Sequence, residues 1–288
     1  MSAPRLALAA RAVNGAALAV ATFAVLAGGG ARAQISDEVP FITTPDRVTL
    51  AMLQLAGTGP ADRVLDLGSG DGRIVITAAR RFGASGLGVE IDPALVARSR
   101  ANAAAAGVAD RARFIEQDLF ATDLGQASVI TMYLLPEVNL ALRPRLLALT
   151  PGTRIVSHDW DMGDWSPDRS LTLAVPEKAI GREKSSRVHL WTVPARVAGR
   201  WCGPGGHELR LQQQYQRVDG RLGTAADSTQ AWGRLDGAAL SLIAGRETVH
   251  WTAEGGALVV QRASGPWAAW TGWRFVPGPE GNAPCPDR

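Results

Sequence analysis

The chain has 288 residues, 46% hydrophobic and 20% charged. This is an ordinary globular composition that argues against a disordered, fibrous or multi-spanning protein and leaves room for about two domains. The formal charge is +3 and the pI about 9.3, but the excess lies in the first 33 residues, which hold Arg5, Arg11 and Arg32 and no acid. Without those three, the 30 basic side chains fall to 27, equal to the 27 acidic ones, so nothing global in the remainder favours a nucleic-acid partner.

Residues 1–33 read as an export signal: a positive leader, an apolar run over 13–27, and Ala31-Arg32-Ala33, the small-x-small pattern that signal peptidase cuts. Cleavage leaves Gln34 first and places the protein in the periplasm. The run is shorter than the roughly 20 residues of a spanning helix; an uncleaved inner-membrane anchor over 12–31 is the alternative, and it alone would make the membrane a partner.

Within a first domain taken as 34–194, short β-branched runs alternate with longer Ala/Leu-rich segments from Thr44 to Thr150, as parallel βαβ units do. The spacing predicts a helix over 46–55, strand 63–67, helix 73–81, strand 86–89, helix 93–106, strands 112–116 and 128–133, helix 138–149 and strand 154–157. An antiparallel hairpin over 170–175 and 187–193 completes seven strands. The fold class is therefore α/β, a Rossmann-like doubly wound sheet. Pro194 marks its end.

All nine tryptophans fall at or after Trp160, and from 195 the hydrophobic period is two. Strands are expected over 209–211 and 257–260, with hairpin turns at Asp219-Gly220, Asp236-Gly237 and Gly255-Gly256. A small all-β domain, barrel or sandwich, over 195–277 follows, with an irregular tail over 278–288. Its six tryptophans from Trp201 to Trp273 suit either a packed core or a ligand-binding surface. Cys202 and Cys285, an even pair in an exported chain, permit one disulfide; two free thiols are the alternative. Two cysteines and four scattered histidines give no metal-ligand spacing.

The sharpest chemical signal is Val64-Leu-Asp-Leu-Gly-Ser-Gly-Asp-Gly-Arg73. A buried strand runs into a loop with Gly68, Gly70 and Gly72 at alternate positions and then into a helix, so a ligand can approach backbone. Dinucleotide sites use G-x-G-x-x-G and receive a pyrophosphate. Here Asp66 stands two residues before the first glycine, which suits a ligand carrying ammonium or sulfonium charge. Ser69 and Asp71 either face that ligand or cap the following helix.

This segment resembles motif I of the class I, seven-β-strand methyltransferases that use S-adenosyl-L-methionine. The resemblance implies that Glu90, in Gly88-Val-Glu-Ile-Asp-Pro93, accepts from both ribose hydroxyls. It implies that Asp118 receives the adenine amino group while Leu119 packs on the ring. Each acid could instead cap a helix; Asp92 before Pro93 reads as such a cap. Closer still is the similarity, over residues 39–170, to the small lysine methyltransferases of the ATP synthase c-subunit and adenine nucleotide translocase type. It covers Pro40-Phe-Ile-Thr-Thr-Pro45 as well as motif I, and implies Thr43 and Thr44 near the methionine end of the cofactor, an ST-turn being the alternative.

In this fold the acceptor meets the cofactor at the strand carboxyl ends, so Met132-Tyr-Leu-Leu-Pro-Glu137 and Ser157-His-Asp-Trp-Asp161 face it. The first of these lacks the Asn/Asp-Pro-Pro-aromatic grip on a planar NH2, which disfavours base or glutamine methylation. An attacking lysine must lose a proton, and Tyr133 and Asp159 are the candidate helpers. The function expected is S-adenosylmethionine-dependent methyl transfer to a protein or small-molecule acceptor, with protein lysine the first candidate. A non-catalytic cofactor-binding protein, or an envelope module using the Trp-rich domain, is the rival.

Overall fold

The structure is a computed structural model that describes residues 42–178, 183–279 and 285. The export signal expected over 1–33, Pro40, Phe41 and most of the tail over 278–288 lie outside them. The chain first forms α1 (Asp46–Leu55), β1 (Arg63–Leu67), α2 (Arg73–Phe82), β2 (Ser85–Glu90), α3 (Pro93–Ala105) and β3 (Ala112–Glu116). It continues through β4 (Val129–Met132), α4 (Pro136–Leu146), β5 (Arg154–His158), β6 (Arg169–Ala174) and β7 (Ser185–Thr192). The sheet order is β3-β2-β1-β4-β5-β7-β6, parallel except that β7 runs antiparallel to both β5 and β6. The order reverses between β1 and β4, and the crevice outside the carboxyl ends at such a reversal is where open α/β sheets bind ligands.

Local chemistry sets these elements. In α1, Val48, Ala51, Met52 and Leu55 are buried at helical spacing, which docks one face on the sheet. Asp92 accepts a 2.8 Å hydrogen bond from Ala94 N ahead of Pro93 at the first helical position, so it caps α3. Helix α4 begins two residues earlier than its pattern suggests because Pro136 takes the same first-turn position. Strands β1 and β4 are buried on both faces apart from the exposed start of β1, as expected in a sheet covered on both sides.

The second module is a closed barrel of eight strands: β8 (Gly199–Cys202), β9 (Glu208–Gln214), β10 (Arg217–Gly223), β11 (Ser228–Asp236), β12 (Ala239–Ala244), β13 (Glu247–Glu254), β14 (Ala257–Ala263) and β15 (Arg274–Pro277). Each strand pairs antiparallel with the next, and β15 returns to β8, so no sheet edge is left open. The barrel therefore decides between the two β architectures. Gly255 and Gly256, at φ of 52° and 70°, form the tight β13–β14 turn, and Gly237 at φ 55° serves β11–β12.

The turn expected at Asp219-Gly220 is not there: both residues lie inside β10, and the reversal falls at Tyr215-Gln216, with Tyr215 at φ 54°. Gly220 serves close strand approach instead, since a Cβ there would stand 2.2 Å from the Arg210 carbonyl oxygen. Trp201, Trp251 and Trp270 are in the barrel core with Trp267 and Trp273 packed against them, whereas Trp232 is exposed. Core packing thus accounts for five of the six. Cys202 and Cys285 form a disulfide, Cα atoms 5.4 Å apart. Among the described residues no helix is long and apolar enough to cross a membrane, and no group of three or more metal-ligating side chains is placed to hold an ion.

Candidate active site

At the end of β1 the backbone turns through three left-handed glycines, Gly68, Gly70 and Gly72, at φ of 74°, 54° and 83°. The nitrogens of Gly68 and Ser69 both donate to the Val89 carbonyl, at 3.0 and 2.9 Å, folding the loop over the end of β2. Space is short. A Cβ on Gly72 would come within 2.6 Å of the Phe114 ring, and one on Gly88 within 2.5 Å of that ring and 2.6 Å of Ser69 Oγ. Gly88 is thus a steric requirement of the loop that motif reasoning did not single out.

Glu90 closes the loop from the β2 side. Its Oε2 accepts from Gly70 N at 2.9 Å, and Oε1 accepts from Ile91 N and Asp92 N at 2.8 and 3.2 Å. A carboxylate has about four lone-pair sites, three of them taken here, so room remains for about one ligand hydroxyl without displacing a backbone bond. Ile91 beside it is 71% exposed, a large apolar side chain in water next to a polar strand end. On the neighbouring strand end, Asp118 Oδ1 accepts from Phe120 N at 2.8 Å and so caps the short 3-10 turn Leu119–Ala121. Leu119 is half-buried on the core around β4. Ile91 and Leu119 each follow one of the acids and add apolar surface of the kind a planar base needs, and only Leu119 was legible beforehand.

Asp66 is buried, and Thr131 Oγ1 donates to its Oδ1 at 2.7 Å. Burial, reinforced by the charges of Glu90 and Asp71, pushes its carboxyl up to about 7. Asp71 behaves oppositely. Burial opposes its charge, yet the Arg73 fork (Nε to Oδ1 3.0 Å, Nη2 to Oδ2 2.6 Å) holds it below the usual carboxylate range. Arg73 Nη1 also donates to Thr44 O at 2.9 Å, tying the segment before α1 to the glycine loop. Asp71 is therefore committed to a clamp. Ser69 Oγ is buried and has no partner, an orphaned polar atom within the loop that receives the ligand.

A second cluster forms where β4 and β5 end. His158 is buried, with Nδ1 3.3 Å from Thr44 Oγ1, Nε2 2.9 Å from Ser186 Oγ and its ring 3.9 Å from that of Tyr133. Burial pulls its imidazole down to about 4, so it is neutral near pH 7. Burial and the Asp159 charge push the Tyr133 hydroxyl up. Asp159 takes a left-handed φ of 63°, and its Oδ1 accepts from Arg187 N at 2.9 Å while Oδ2 accepts from Lys178 Nζ at 2.8 Å. Thr44, Tyr133 and Asp159, separated widely in sequence, are thus brought around one imidazole. His158 was within the segment the sequence placed at the end of β5, but its role as hub and the contribution of Lys178 had no sequence signal, because Thr44, Tyr133 and Ser186 come from distant segments.

The clusters meet through Leu134, whose Cδ2 lies 3.1 Å from where a Gly68 Cβ would be. A glycine cradle, a carboxyl needing a cation, a Glu90 with a spare acceptor site and an orphaned Ser69 hydroxyl fit a sulfonium nucleoside. Asp66, Ser69, Glu90, Asp118 and Leu119 would hold it, and it would supply an activated methyl group. The fold and this site define a class I S-adenosylmethionine-dependent methyltransferase.

Residues 66–169 match the model of the ANTKMT methyltransferase domain. A protein-lysine N-methyltransferase of Saccharolobus islandicus (strain REY15A) is 43% identical over 131 residues, 45% of this chain and 81% of that protein. The Mus musculus adenine nucleotide translocase lysine N-methyltransferase is 32% identical over 160 residues, 54% of this chain and 69% of that one. The solved structure of an RNA methyltransferase from Salinibacter ruber, in complex with S-adenosyl-L-homocysteine, shares 50% identity, covers 54% of this chain and 96% of its own, and superposes with a TM-score of 0.50. The chain belongs to the ANTKMT-type methyltransferase family.

Proposed function

We propose that this methyltransferase acts on lysine side chains of protein and works outside the cytosol. The observation that carries the lysine reading is the corner at the ends of β4 and β5. There the half-buried Tyr133 ring packs at a tilt of 30° on the buried His158 ring, and the Asp159 carboxylate stands beside them, already holding a lysine ammonium. Aromatic surface with a carboxylate suits a flexible cationic chain, and Asp159 is within hydrogen-bond reach of the proton that must leave. Much of the acceleration then comes from holding amine and methyl together in a dry pocket. The relatives named as lysine methyltransferases support the reading.

An RNA acceptor, which the Salinibacter ruber enzyme carries in its name, draws no support from charge, because residues 34–288 hold 27 basic and 27 acidic side chains. Export is supported by the leader over residues 1–33 and by the Cys202–Cys285 disulfide, a bond that persists in oxidising compartments. Transfer of labelled methyl from S-adenosylmethionine into fractionated envelope protein, RNA, lipid and small molecules tests the acceptor. Methyl-lysine in the protein hydrolysate is the expected result, and label confined to RNA or lipid refutes it. Intact mass after expression in a Gram-negative host tests export: a chain starting at Gln34 is expected, and a cytosolic chain that keeps residues 1–33 refutes it.

A further inference from the structure

Of the 30 basic side chains only two are lysines, Lys178 and Lys184, and all others are arginine. Both lysines lie between β6 and β7, where the connection reaches the carboxyl end of β5. Their surroundings differ. Lys184 is exposed, and its Nζ donates to the Lys178 carbonyl at 2.6 Å. Lys178 turns inward: its side chain is 17% exposed, and Nζ donates to Asp159 Oδ2 at 2.8 Å and to Ser185 O at 2.7 Å.

The backbone that presents Lys178 is fixed. Lys178 N donates to Val175 O at 3.0 Å, and Val175 N to Lys184 O at 2.7 Å. Glu177 pairs with Arg47 at 2.8 Å, and Arg47 Nη1 donates to Ala174 O at 3.1 Å, holding this turn against the start of α1, next to Thr44. Lysine is seldom drawn inward without a reason. A purely structural pair with Asp159 is the role arginine fills elsewhere in this chain, and the guanidinium fork makes stronger, geometrically fixed bonds to carboxylate. What lysine offers and arginine does not is an amine that can lose its proton and act as a nucleophile.

We infer that Lys178 is itself a methyl acceptor of this enzyme, modified in cis; the inference rests on the lysine reading above. Nζ gives one proton to Asp159 Oδ2, which passes it to water. The freed lone pair forms an N–C bond to the sulfonium methyl as the C–S bond breaks. The products are N-methyl-lysine, S-adenosylhomocysteine and one proton.

The full chain is incubated with methyl-labelled S-adenosylmethionine and no other acceptor, then digested and sequenced by mass spectrometry. Label on Lys178 and not Lys184 is expected, at a first-order rate independent of protein concentration. Lys178→Arg should abolish it. Asp159→Asn should slow it about 100-fold, the contribution of a positioned base, with S-adenosylhomocysteine affinity unchanged as the check on folding; asparagine accepts the left-handed backbone there. An unlabelled Lys178 beside a labelled lysine-rich peptide added in excess overturns the inference and leaves the lysine reading standing. No label on either, with S-adenosylhomocysteine still bound, overturns both. Label on Lys184 instead, or a rate that rises with protein concentration, also overturns modification in cis.

Discussion

Asp66→Asn should make the cofactor-free protein more stable at pH 8 while abolishing the pH dependence of cofactor binding. The carboxyl titrates from a free value of 3.8 up to about 7 in the fold. Between those values the folded state holds a proton that the unfolded state has lost, so stability falls as pH rises through the window. From pH 5 to pH 8 the loss is about 3 kcal/mol. Asparagine keeps the oxygen that accepts from Thr131 and cannot ionise, so it escapes this loss. His158 pulls the other way, because an imidazole lowered to about 4 lets the unfolded state take the extra proton and stability rises with pH from about 4 to 6.5. The raw pH profile is therefore flattened, and only the difference between wild type and Asp66→Asn isolates the carboxyl. Denaturant unfolding at pH 5 and pH 8 measures it: a difference growing by about 3 kcal/mol is expected. Binding supplies the second reading. A cation beside Asp66 favours its charged form, so wild-type affinity for S-adenosylmethionine should rise about tenfold from pH 6 to pH 8, with proton release on binding, and Asp66→Asn should be both weaker and flat. Parallel stability profiles for the two proteins would refute the claim that burial holds Asp66 protonated.

Glu90→Ala should weaken S-adenosylhomocysteine binding by about 1–3 kcal/mol by calorimetry, the worth of a hydrogen bond to a charged acceptor together with the loss of its hold on Gly70 N. Gly72→Ala combines a left-handed φ of 83° with a 2.6 Å approach to the Phe114 ring, so urea unfolding should show a loss of about 2–4 kcal/mol. Gln216→Leu removes the acceptor of the buried Trp165 Nε1 and a donor to Asp168, for an expected loss of about 1–3 kcal/mol and a changed tryptophan emission. Reduction of Cys202–Cys285, which closes 83 residues, should lower stability by about 4.5 kcal/mol on the chain-entropy account, read as a lower denaturation midpoint.

The cofactor side was legible in the sequence because its signal is local. Strand, acid and alternate glycines from Asp66 to Gly72 lie within one loop, and Glu90 sits one βαβ step on, so spacing alone orders them. The acceptor side was legible only in part. Tyr133 and Asp159 could be named from the rule that strand carboxyl ends face the ligand, but the buried imidazole that gathers them draws its partners from residues 44, 133 and 186. No periodicity couples such positions. The barrel was misread at Asp219-Gly220 for a related reason: a glycine that permits chain reversal and one that permits strand contact have the same sequence signature, and only the Arg210 carbonyl across the ladder tells them apart.

The segment between β5 and β6 joins these two kinds of information. At its start Asp159 accepts from Arg187 N and Lys178 Nζ. Just after it Asn139 Nδ2 reaches the carbonyls of Trp160 and Asp161, both at 3.3 Å. At its end Trp165 and Asp168 are gripped by the β9–β10 turn through Gln216, with Tyr215 stacked on Trp165 at 5.9 Å and Arg234 paired to Asp168. Trp165 is fully buried, so its N–H needs the partner the barrel supplies. Ten residues thus run from a start held by Arg187 and Lys178 to an end locked by the barrel. A loop held at both termini has fewer conformations to lose when an acceptor binds. On that ground the barrel, which shares no residue with the matched methyltransferase domain over 66–169, still bears on the site, because it anchors the far end of the loop that begins at Asp159.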